Sequence, residues 1–258
     1  VDLKEIEDSL RDDTILVSIM HVNNEVGTIQ PIREIGELLK ERPKTLFHVD
    51  AVQACGKIPL DLHGAGVDLC SLSSHKIHGI KGTGALYVRS GVRLSPLLSG
   101  GDQEGSLRSG TENTGGIAAF AKALRMHLKE REESLPVMQE IQGFIRDGLS
   151  KLPYVTVHTP ETSAAPHILN FSIEGFKGEV MVHSLDQHGI YLSTTSACSS
   201  RQHKPSETLL AMGVSDMRAN SSLRVSLSYH TTMQEARMFL ETLEREIRSL
   251  MKTMRRSR

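Results

Sequence analysis

The stretch "TILVSIMHVNNEVGTIQPIREIGELLKERPKTLFHVD" (Thr14–Asp50) decides the fold. It opens with a nearly continuous apolar run, "TILVSIMHV" (Thr14–Val22), ending at "NNEVG", as expected for a strand covered on both faces. "PIREIGELLKER" (Pro31–Arg42) follows as a helix: proline suits the first turn, and Ile32, Ile35, Leu38 and Leu39 form one apolar stripe. "TLFHVD" (Thr45–Asp50) is the next strand. Further on, "VDLCSLSS" (Val67–Ser74) and "GALYV" (Gly84–Val88) supply a third and a fourth. Strands alternating with helices predict an α/β fold with a mostly parallel sheet, whose ligands bind beyond the carboxyl ends of the strands. Asn23 and Asn24, Asp50, and His75 with Lys76 each stand at such an end.

Toward the start, "VDLKEIEDSLRDD" (Val1–Asp13) already reads as a helix inside an ongoing pattern, so sequence upstream of Val1 is expected. Beyond Gly115 the pattern changes. "GGIAAFAKALRMHLKEREE" (Gly115–Glu133) and "PVMQEIQGFIRDGLSKL" (Pro136–Leu152) read as two long amphipathic helices, with Met138, Ile141, Ile145 and Leu149 recurring every three or four residues. A strand "HILNFSI", a helix "EVMVHSLDQHG", a short helix "PSETLLAMG" and a strand "SSLRVSLSY" come next. The last helix opens with a capping box, Thr232 with Glu235. Residues 1–114 are expected to form part of a large ligand-binding domain, and 115–258 long helices with a smaller α+β C-terminal domain.

The chain has 258 residues, 38% apolar and 24% charged, with a formal net charge of −1. That is the composition of a soluble globular protein, and it argues for neither a nucleic-acid nor a membrane partner. No apolar run approaches the roughly 18 residues that a membrane span needs. The basic tail "MRRSR" reads as a frayed terminus. Three cysteines, Cys55, Cys70 and Cys198, are an odd number at unrelated spacings, which points to a reducing, cytoplasmic compartment.

Within "SLSSHKIHGIKGTGALYV" (Ser71–Val88), Lys76 taken alone is an exposed lysine after a strand, the ordinary fate of that residue type. Its neighbours suggest more. A lysine amine becomes a nucleophile when desolvation or a nearby cation leaves it partly neutral. Asp50, ending the neighbouring strand, offers a carboxylate for a protonated ring nitrogen. Gln53 offers a donor to a ring oxygen, and Ser73 and His75 offer more. A lysine with an acidic partner for a pyridinium nitrogen is the constellation of a pyridoxal-phosphate enzyme. Cys55 and Cys70 read as small core residues. His48, His75 and His78 lack a fourth ligand at a sensible spacing, so zinc is set aside. The glycines near Lys76 match neither nucleotide-binding fingerprint.

"SIMHVNNEVGTIQPI", "FHVDAVQ", "SSHKIHGIKGTGALYV", "RSGTEN" and "STTSACSS" together resemble the ordered motif series of the class V aminotransferase family. More narrowly they resemble cysteine desulfurases of the kind that feed iron–sulfur cluster assembly. The resemblance runs from about Thr14 to Thr232. It implies fold type I of the pyridoxal-phosphate transferases and covalent attachment of pyridoxal 5'-phosphate to Lys76. Asp50 would face the pyridine nitrogen, and Gln53 and Asn24 the phenolic oxygen or the substrate. Ser73 and His75 would hold the phosphate, with His75 assisting proton transfer. Thr111, in "RSGT", would reach the phosphate of a neighbouring subunit, which implies a homodimer. Arg224 would clamp the carboxylate of L-cysteine. Cys198, in "STTSACSSRQHKPS" (Ser193–Ser206), would take the substrate sulfur as a persulfide and pass it to a sulfur-acceptor or iron–sulfur scaffold protein. Two alternatives stay open: a selenocysteine lyase or other class V aminotransferase, and a truncated, inactive fragment. The second arises because the resemblance implies that the family's upstream phosphate-binding loop, the histidine that stacks on the ring, and some strands of the large-domain sheet are expected to fall outside this sequence.

Overall fold

The computed structural model describes residues 1–194 and 205–256, and in it the chain divides into two compact units. The first comprises Val1–Val22 and Gln30–Arg131, the second Asn23–Ile29 and Glu132–Arg258. In the first unit a short helix α1 (Leu3–Ser9) leads to the strand β1 (Leu16–Met20). The helix α2 (Ile32–Leu39) crosses to β2 (Leu46–Asp50), followed by β3 (Leu69–Ser73) and β4 (Gly84–Val88). The sheet order is β1-β2-β3-β4, with β1, β2 and β3 parallel and β4 antiparallel. Met20 lies across from Asp50, and Asp50 across from Ser71.

Side chains alternate across each strand. Phe47, Val49 and Cys70 go to the buried face, and Ile32, Ile35 and Leu39 supply the apolar stripe of α2. Gly36 is required on α2, because a Cβ there would lie 1.9 Å from the Ala65 carbonyl oxygen. Asp68, buried before β3, accepts the Phe47 N–H at 2.7 Å and pairs with Arg89. The opposite face is open: Leu16 is 47% exposed, Met20 41% and Leu86 50%. The run Thr14–Val22 is therefore covered on one side only. β1 is an edge strand of this sheet, and its alternate residues Leu16, Ser18 and Met20 all fall on the open face.

The helix α3 (Thr114–Ser150) begins in the first unit and ends in the second. It is one helix where the sequence predicts two, and it runs through Pro136. A proline inside a helix costs about 3 kcal/mol, through a lost hydrogen bond and a ring clash. Met138, Ile141, Ile145 and Leu149 are all buried behind it. That burial, worth roughly 1.5–3 kcal/mol for each side chain, holds the part of the helix that follows the proline.

The second unit is built on a wholly antiparallel sheet of β5 (Val155–Val157), β6 (Ile168–Ile173), β7 (Ser193–Thr194) and β8 (Ser222–Ser226), in the order β5-β6-β8-β7. All six residues of β6 are buried. Leu169, Phe171 and Ile173 share one core with Ile141, Ile145 and Leu149 of α3, Met181 and Leu185 of α4 (Gly178–Asp186), and Phe239 and Leu243 of a long terminal helix. Two short helices, α5 (Glu207–Ala211) and α6 (Asp216–Asn220), precede that last helix, α7 (Met233–Arg256). The capping box forms as read: Glu235 accepts the Thr232 N–H at 2.7 Å, and Thr232 Oγ1 accepts the Glu235 N–H at 3.2 Å. β5, β7 and α6 were not legible as periodic runs, being only two to five residues long. Among the described residues no helix is long and apolar enough to cross a membrane.

Candidate active site

Two groups of the sequence-predicted residues emerge, one in each unit. In the first unit, β3 ends in a tight 3-10 turn, Ser74–Ile77. Residues three apart eclipse one another in such a turn. Ser74 and Ile77 thus go inside together, leaving His75 exposed and Lys76 half-buried beyond the carboxyl end of β3. Ser74 N–H donates to the Thr83 carbonyl at 3.0 Å, which ties this turn to the approach to β4. Ser73 Oγ and His75 Nδ1 are hydrogen-bonded at 2.8 Å.

Asp50 ends β2 on the open face, its carboxylate exposed. Its Oδ1 accepts the Val52 N–H at 2.9 Å, and its carbonyl accepts the N–H of the buried His21 at 2.8 Å. The turn that follows is pinned to the neighbouring strand, since Ala51 N–H donates to the Ser71 carbonyl at 3.1 Å. Gln53 lies half-buried in that turn. Thr111 is exposed in the segment leading to α3. A carboxylate, an amine and a hydroxyl–imidazole pair therefore stand at the carboxyl ends of β2 and β3. That donor set fits pyridoxal phosphate.

In the second unit, Arg224 on β8 donates from Nη1 to the Asn24 carbonyl at 2.8 Å and from Nε to Ser226 Oγ at 3.2 Å. The guanidinium is thereby held in one orientation, with further N–H groups to offer a carboxylate. The segment 23–29 is itself fixed. Asn23 Oδ1 accepts the Glu25 and Val26 N–H groups at 2.9 Å, and Ser206 Oγ donates to the Glu25 carboxylate. Asn170 Nδ2 donates to the Glu25 carbonyl at 3.2 Å. Gly27 closes the turn at φ +77°, where a Cβ would meet Ile168 at 3.0 Å.

Cys198 lies outside the described residues. Cys55 and Cys70 are buried free thiols. Burial pushes the Cys70 thiol up to about 12, with Cys55 adding to the shift, and burial likewise raises Cys55. Burial thus disfavours the thiolate, the nucleophilic form, at both positions. The sequence reading did not anticipate a chain of hydrogen bonds on the open face. Ser18 Oγ meets His48 Nδ1 at 2.7 Å, and His48 Nε2 meets Ser71 Oγ at 2.9 Å. The only signal in the sequence was the strand alternation that puts His48 on the same face as Asp50.

Comparison with known proteins agrees with this architecture. Residues 1–239 match the family model described as aminotransferase class-V. A protein named cysteine desulfurase IscS from Dictyoglomus turgidum is 41% identical over 251 residues, 97% of this chain and 64% of that protein. A NifS/IcsS protein homolog from Lactobacillus delbrueckii subsp. bulgaricus is 45% identical over 246 residues, 95% of this chain and 64% of its own length. A solved structure titled NifS-like protein superposes with a TM-score of 0.88 at 39% identity, covering 97% of this chain and 65% of that one. The chain thus spans about 64% of the length of the curated relatives it matches.

Proposed function

Because the chain belongs to the aminotransferase class-V family, we propose that it carries the core of a pyridoxal-5'-phosphate-dependent cysteine desulfurase. One observation carries the reading: Lys76 and Asp50 stand beyond the carboxyl ends of adjacent parallel strands, with Ser73 and His75 beside the lysine. The cofactor, when bound, serves as an electron sink for the substrate's α-carbon. Lys76 Nζ would hold it covalently before substrate arrives and, once displaced by the substrate amine, would be free to move the α-proton, with His75 assisting. The Asp50 carboxylate keeps the ring nitrogen protonated, Gln53 and Asn24 orient the ring oxygen or the substrate, and Ser73 and His75 take the phosphate. Thr111 contacts the phosphate held by a second copy, making the working form a homodimer. Arg224 binds the substrate carboxylate as a bidentate fork.

Cys198 takes the sulfur. Its thiolate forms an S–S bond to the substrate sulfur while the C–S bond breaks. The electron pair of that bond goes to the β-carbon, which gains a proton and leaves as part of L-alanine. The burial of Cys55 and Cys70, which disfavours their thiolates, supports this assignment, since Cys198 is the remaining thiol. The persulfide sulfur passes to an acceptor or iron–sulfur scaffold protein in the cytoplasm. The test is spectroscopic: the purified chain incubated with pyridoxal phosphate should gain a visible absorption band that borohydride removes. Lys76→Ala should abolish the band, and Cys198→Ala should keep it while stopping sulfide release. A Lys76→Ala variant that retains the borohydride-sensitive band overturns the assignment.

A further inference from the structure

Asp50 has an unexpected neighbour. Ser71 is its register partner on β3, on the same open face, and adjacent strands lie roughly 5 Å apart. A serine hydroxyl that close to a carboxylate ordinarily donates to it, because hydrogen bonds to ionised acceptors are the strong ones. Here the Ser71 hydroxyl is bonded to His48 Nε2 at 2.9 Å instead. The His48 ring reaches Ser71 along a diagonal, since the residue directly across from it on β3 is Leu69. Its other nitrogen is bonded to Ser18 Oγ at 2.7 Å, directly across on β1. Both ring nitrogens are engaged, one on each side, so the imidazole spans three parallel strands one row below Asp50. Asp50 meanwhile spends Oδ1 on the N–H of its own turn at Val52.

We propose that His48 is a positioning residue, which keeps the Ser71 hydroxyl turned away from Asp50 so that Asp50 Oδ2 stays open to the ring N–H of the cofactor. Ser18 anchors the ring from the far side and stops it from rotating toward the carboxylate. The role assigns the ring proton to Nδ1, which donates to Ser18 Oγ, so that Nε2 accepts the Ser71 hydroxyl proton and withholds it from Asp50. The inference rests on the functional reading above for the identity of the ligand, but the hydrogen-bond arrangement does not.

The decisive experiment is a cycle of His48→Ala, Ser71→Ala and the double variant in the full chain. Two readouts are used: the 13Cγ resonance of Asp50 without cofactor, and the dissociation constant for pyridoxal phosphate. His48→Ala frees the Ser71 hydroxyl to donate to Asp50. The resonance should move, and cofactor binding should weaken about tenfold, the effect of one competing hydrogen bond to a charged group. Adding Ser71→Ala removes the competitor. The resonance should return to its original position, and affinity should recover to within about threefold, a coupling that a merely structural role does not give. Ser71→Ala alone should bind the cofactor like the unaltered chain. If His48→Ala does not fold, His48→Leu keeps the bulk without a hydrogen bond and runs the same cycle. An Asp50 resonance that ignores the loss of His48, or a double variant as weak as the single, overturns the proposal. An unaltered chain that takes no pyridoxal phosphate, with the resonance moving and returning as expected, overturns the functional reading and upholds the role of His48.

Discussion

The two sheets of this protein are used differently. β6 of the second unit is buried along its whole length, with Leu169, Phe171 and Ile173 locked against α3, α4 and α7. The sheet of the first unit is buried on one face only. On the other it sets Ser18, His48, Asp50, Ser71 and Ser73 among the exposed Leu16, Met20 and Leu86. A closed face contributes cohesion through apolar burial. An open face leaves polar groups free to meet a ligand, and there the chain places an imidazole ladder at mid-strand and a carboxylate at the end of β2, with an amine in the turn beyond β3.

That contrast has measurable consequences. The largest effect is expected in the closed sheet. Phe171→Ala should cost about 3–5 kcal/mol, the range for a large core aromatic, read as a lower denaturant midpoint for the second unit. A cost under about 1 kcal/mol would mean that the core repacks and that the closed face is less rigid than described. A middle-sized effect belongs to the start of α7. Thr232→Ala should cost about 1 kcal/mol by removing the cap. It should also change the response to acid. The Thr232 backbone N–H, then its hydroxyl, hold the Glu235 carboxyl below its ordinary value. A group depressed in the folded state stabilises above its unfolded value, and that contribution fades as pH falls through the folded one. The unaltered chain should therefore lose this increment in the acidic carboxylate range, and Thr232→Ala, which removes the hydroxyl but keeps the backbone N–H, should show only a slightly flatter profile there in a pH series of thermal melts. The smallest effect is expected on the open sheet, where Leu16→Ser should stay within about 0.5 kcal/mol by the same denaturation measurement. A loss of 2 kcal/mol at Leu16 would show that its face is covered in solution, and the contrast between the sheets would shrink.

Legibility followed the range of the interactions involved. Lys76 and Asp50 were readable because a strand's end is marked locally, by an apolar run giving way to polar residues. The apolar stripe of Met138, Ile141, Ile145 and Leu149 was readable for the same reason. Pro136 misled, because its local penalty is visible in the sequence while the continuity of the helix through it is not. The His48 ladder was hidden: Ser18 and Ser71 lie 30 and 23 residues away, and only strand register brings them to the ring. The capture of Asn24 by Arg224 spans 200 residues and was equally invisible as geometry, although both residues had been singled out.

The sequence by itself determined the longer elements, the strand ends and the residue types gathered there, because periodicity, caps and turn residues act over a few neighbours. Only the tertiary structure decided which hydroxyl meets which imidazole, which face of the first sheet stays open, and that residues 23–29 group with the second unit rather than with the strand they follow. Those outcomes depend on register and on competition between partners distant in the chain, and no local pattern encodes either.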